Sequence, residues 1–119
     1  MATRKPKTDK RLLGTWKSDK RRTFKDHVPP RRLRGKRLDR FKAIFGKLIV
    51  RYTRRKIHSE YQGSRDSIDY EVLGSDADSV VIMVSGQVAA LRRIQHVHFE
   101  GKYYWITLDG MREYFRRID

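Results

Sequence analysis

The 119-residue chain contains no cysteine, which excludes disulfides, zinc–thiolate sites, iron–sulfur clusters and thiol catalysis together. It has no long apolar run either. Nothing approaches the ~18 residues a membrane-spanning helix needs, and the opening MATRKPKTDKR lacks the apolar stretch of a secretory leader. A cytoplasmic protein with no membrane partner is the expectation. Acidic residues are scarce in one half only: residues 1–56 hold 22 Lys/Arg against 4 Asp/Glu, whereas residues 57–119 hold 7 against 10. The net charge of +15 is therefore carried by the first half, and such a surface favours anionic partners. Catalytic constellations are missing too. There is no Gly-x-Ser-x-Gly, no His-Glu-x-x-His and no phosphate loop. Nothing argues for an enzyme, and no cofactor is expected.

What is present reads as one mostly-β domain. A length of 119 residues with 38% hydrophobic content suits a single core. Residues 1–10 are basic and aperiodic, as in a disordered arm, and residues 11–119 form the domain. Leu12, Gly14 and Trp16 alternate with Thr15, Lys17 and Asp19, which predicts a first strand over 12–19, with weaker alternation through Phe24. Pro29 and Pro30 stop any strand, since neither can donate to a ladder. Beyond them Leu38, Phe41, Ile44, Phe45 and Leu48 recur at helical spacing, predicting a helix over 31–45 that Gly35 delays and Gly46 ends. Seven more strands follow at 47–53, 55–61, 67–73, 79–85, 93–99, 102–108 and 111–118, most separated by Gly-containing turns. The run Val80–Val84 is continuously apolar, as in a strand covered on both faces. About eight strands joined by tight turns predict an antiparallel up-and-down barrel, with one helix between the first two strands.

Gly14-x-Trp16 near the start, together with a last strand ending Tyr114-Phe115-Arg116-Arg117-Ile118, resembles the calycin superfamily of lipocalins and fatty-acid-binding proteins. The nearest likeness is to uncharacterised bacterial lipocalin-like proteins. The resemblance implies that the Trp16 indole packs across the barrel bottom beneath a basic residue of the last strand, Arg116 or alternatively Arg117. An arginine there gains a cation–π contact while its fork caps nearby carbonyls. The Arg112-x-Tyr114 pair resembles the Arg-x-Tyr with which fatty-acid-binding proteins hold a ligand carboxylate inside the barrel.

These features predict a non-enzymatic barrel for a small, partly apolar anionic ligand, with Arg112, Tyr114, Arg116 and Trp16 as its binding residues. The competing reading is a nucleic-acid-binding or macromolecular interaction protein. Seven cations fall within Arg31–Lys42, among them Arg32, Lys36, Arg40 and Lys42, and Arg51, Arg54 and Arg55 follow, interleaved with Tyr52. Such a cluster is suited to phosphate contact that is indifferent to sequence. His96 and His98 share one strand face and with His58 offer imidazoles to a metal or haem. Val97 and Phe99 alternate with them as the core face, and no third ligand is fixed, so no metal is expected.

Overall fold

Alternating side chains and short turns bring the chain's two ends together as neighbouring strands. A computed structural model describes residues 8–25, 34–85, 93–108 and 110–119. The elements are β1 (Gly14–Ser18), α1 (Lys20–Lys25), α2 (Lys36–Ala43), β2 (Ile49–Tyr52), β3 (Lys56–Tyr61), β4 (Ser64–Ser75), β5 (Ser79–Ser85), β6 (Arg93–Glu100), β7 (Tyr103–Leu108) and β8 (Met111–Arg117). Each strand pairs antiparallel with the next, and β8 pairs with β1, closing an eight-stranded barrel. Closure leaves no unpaired sheet edge. Gln62 and Gly63 both adopt positive φ between β3 and β4, the conformation whose twist matches a tight hairpin.

Register fixes which side chains fill the lumen. Trp16, Val50, Tyr52, Ile57, Tyr70, Val72, Val80, Ile82, Val84, Val97, Tyr104 and Phe115 form one buried cluster with Leu12. Rings dominate its middle: Trp16 and Phe115 each lie 4.8 Å from Tyr104, and Tyr52 lies 6.0 Å from it. In β5 only Val80, Ile82 and Val84 face in. Val81 and Met83 face outward and are half-buried, so the apolar run there is not a strand sealed on both sides. Among the described residues no helix is long and apolar enough to cross a membrane.

Three expectations change in detail. The weak alternation after Asp19 is a helix, α1, because Asp19 Oδ1 accepts the Arg22 backbone N–H at 2.9 Å, an N-cap that satisfies an otherwise orphan donor. The second helix is shorter than 31–45, starting after Gly35 at a φ of 57°; residues 31–33 lie outside the described residues. Phe41 of α2 and Phe45 just beyond its end pack on Phe24 of α1, with centroids 6.1 and 5.1 Å away, so the two helical segments share a ring cluster of their own. Of the basic arm, residues 1–7 lie outside the described residues, whereas Asp9 is buried. Arg11 holds its carboxylate at 2.7 and 3.0 Å and keeps its pKa below the usual range.

Candidate functional site

The polar groups inside the barrel are bonded to one another. The Tyr52 and Tyr104 hydroxyls bond each other at 3.0 Å. Burial pushes the Tyr52 phenol up to about 12, and Tyr104 well above the ordinary range, so both stay protonated. On β8 the inward residues are Met111, Glu113 and Phe115. Glu113 is buried and accepts the Ser18 hydroxyl at 2.8 Å, while Ser18 Oγ accepts the Gly46 N–H at 3.1 Å. Burial raises the Glu113 pKa. An anion entering here would meet a carboxyl group where an arginine is wanted.

The four residues expected to bind a ligand fall in different places. Trp16 does close the barrel bottom, its Nε1–H donating to Leu12 O at 3.0 Å. The arginine above it is Arg117, whose Cζ lies 4.4 Å from the ring centroid and whose fork donates to Leu13 O at 2.7 Å and Arg11 O at 2.8 Å. Gly14 makes room for that fork: at φ +127°, a Cβ there would lie 2.3 Å from Arg117 Nη1. Arg116, the first choice for this role, is instead the cross-strand partner of Lys17 on the outer face and lies 3.6 Å from Asp19. Period-two alternation makes the two positions exclusive. The same alternation turns Arg112 and Tyr114 outward, contrary to the inward Arg-x-Tyr of the resemblance. Arg112 lies over Trp105 at 3.9 Å, and Tyr114 is buried beneath Arg22 of α1, 3.8 Å from its ring.

The basic residues expected at an alternative interface are spread over three elements of the chain. Arg32 lies outside the described residues. Lys36, Arg40 and Lys42 ride on α2, ahead of the first residue of β2; Arg51 is on the outer wall of β2; Arg54 and Arg55 follow its last residue. Helix and turn are thus separated by the length of β2. A tighter gathering arises elsewhere. Lys17, Lys20, Lys47 and Arg116 line an open hollow of about 530 Å³, and Arg21, Arg22, Lys25 and Tyr103 line an adjoining one of about 530 Å³. Asp19 borders both, already engaged as the α1 N-cap and beside Arg116. Among the described residues, Lys17, Lys20, Arg21, Lys25 and Lys47 have no acid partner. Sequence reasoning passed over this group because it read residues 20–24 as strand. The signal was an aspartate directly before a run whose alternation fails.

His96 and His98 lie on the outer face of β6, whereas His58 is on β3, bonded to Ser67 Oγ at 2.7 Å. Among the described residues, no three side chains of metal-ligating type come together. No family model, no curated protein and no solved structure matches this chain.

Proposed function

We propose that this chain is a cytoplasmic, lipocalin-like barrel of the calycin kind that binds nucleic acid without catalysis and without sequence preference, through basic surface outside the barrel. The calycin kinship is supported by Gly14, Trp16 and Arg117 acting as one unit at the barrel bottom. The functional reading rests on one observation: five cations without acid partners converge on two adjoining hollows at the junction of β1, β8 and α1. Like charges held together repel, and a polyanion relieves that repulsion while releasing its own counterions. The cations of α2 and β2 add further positive field around this centre. A small anionic ligand in the lumen has less support, because rings occupy the middle of the barrel and Arg112, Tyr114 and Arg116 face away from it.

Fluorescence anisotropy with labelled duplex and single-stranded oligonucleotides, measured across a salt series, tests this. Steep salt dependence is expected. Replacing Lys20 and Lys47 together by glutamine should flatten the log–log slope on duplex by about 1.8 units if each meets one phosphate. Absence of binding at physiological salt, or a slope the double variant leaves unchanged, would overturn the proposal.

A further inference from the structure

We infer that the outer face of β6, β7 and β8 is a stacking platform for single-stranded nucleic acid, with Arg112 at its working end. The inference rests on the nucleic-acid reading above and assigns the bases a place that reading leaves open. His98, Trp105 and Tyr114 form one outward row across the three strands. Their planes do more than sit side by side. The His96 and His98 ring centroids are 4.0 Å apart, and His98 lies 3.8 Å from Trp105 with only 9° between planes. The Arg112 guanidinium lies 3.9 Å over the same indole. His98 and Arg112 come from strands on opposite sides of β7, so they cover the two faces of Trp105. The result is a column of planar groups, parallel between His98 and Trp105 and tilted by 32° between His96 and His98, at nearly the spacing of stacked bases, ~3.4 Å per nucleotide.

Such a column has two free ends, and they differ. His96 closes one end. At the other, Arg112 lies over the indole, exposed, and bonded to no other described residue. A guanidinium so placed offers a planar group for a base to stack on and a fork of N–H donors for a base edge or phosphate. His98 is kept toward its neutral form by burial and by the nearby charges of His96 and Arg112, which suits a ring used for stacking. The column also lies beside the cationic hollows. Tyr114 is 6.5 Å from Trp105 and 6.2 Å from Tyr103, and Tyr103 lines the hollow of Arg21, Arg22 and Lys25. A strand whose phosphates run through that hollow brings its bases to the column. Duplex bases are already stacked on one another and cannot reach it, so the platform selects single strands. A second copy of this chain is the poorer occupant, since each carries a formal net charge of +15.

The test compares four labelled or competing polyanions of matched length against the full chain: oligo(rU), oligo(dT), a duplex, and inorganic polyphosphate, which has charge but no bases. Single strands should bind roughly 5- to 100-fold more tightly than polyphosphate. Oligo(rU) and oligo(dT) should behave alike if stacking alone reads the bases. Trp105→Ala and Arg112→Ala should each remove most of the single-strand advantage while leaving polyphosphate binding nearly unchanged, and Trp105→Phe should restore part of it. Arg112 is exposed, so its variant tests the idea even if Trp105→Ala unfolds. Equal affinity for single strands and polyphosphate, unaltered by these variants, overturns the platform while leaving phosphate binding standing. Failure of all four polyanions overturns the underlying reading itself. A dimer in sedimentation that Trp105→Ala dissociates, with oligonucleotide binding unaffected, also overturns the platform.

Discussion

Removing the Arg117 guanidinium should destabilise the barrel far more than removing its neighbour, Arg116. Arg117→Ala exposes one face of the Trp16 indole and deprives Leu13 O and Arg11 O of their donors. The side chain is 37% exposed, so water partly replaces what is lost. A cation–π contact at such a site is worth about 0.5–1 kcal/mol, and each charged hydrogen bond that water can replace about 1 kcal/mol. The sum is about 2.5–3 kcal/mol, which for a chain of this length lowers Tm by roughly 10–12 °C. Arg116→Ala breaks only a half-exposed contact of 3.6 Å to Asp19, worth about 0–1 kcal/mol. Urea unfolding of both variants, followed by far-UV circular dichroism, makes the comparison. An Arg116→Ala variant as unstable as Arg117→Ala would refute the assignment of Arg117 to the barrel bottom.

Two further predictions concern the lumen. Tyr52→Phe or Tyr104→Phe alone strands one buried hydroxyl and should cost about 1–3 kcal/mol, whereas the double replacement should be nearly neutral; a double-mutant cycle by urea denaturation that shows simple additivity would count against the 3.0 Å bond between them. Glu113 has a folded pKa raised above its unfolded value by burial, so the folded state binds its proton more tightly. Its stabilising contribution is complete below the unfolded pKa and is lost as pH rises through the folded one. Glu113→Gln should therefore flatten the decline in stability as pH rises above the ordinary glutamate range, and a denaturation midpoint that tracks wild type in parallel through that rise would contradict the burial argument.

The period of the side chains carried most of the architecture. Strict alternation in Ile68–Val72, Gly at the turns, and a Gly-x-Trp opening against an arginine-rich ending were enough to read eight strands closing into a barrel, because each signal is local and fits only one pleat. The same alternation held the information that Arg116 and Arg117 face opposite ways, but not which of them faces in. That depends on the pairing of β1 with β8, Trp16 opposite Arg117 and Lys17 opposite Arg116, a contact between residues about a hundred positions apart. A one-residue shift of register would exchange the two roles.

The candidate site was less legible, for a related reason. Charge counts showed that the first half is basic, yet only the closed barrel decides that α2 and the Arg54–Arg55 turn lie at opposite ends of β2, while Lys17, Lys20, Lys47 and Arg116 meet. The column of His98, Trp105 and Arg112 draws on three strands, and no window of sequence contains it. By itself the sequence determined the strand periodicity, the sign of the charge and the absence of thiol chemistry, since these are properties of short segments or of composition. Which cations gather, which rings fill the lumen and which stack outside it were decided by barrel closure, because closure sets the register that sends every second side chain in or out.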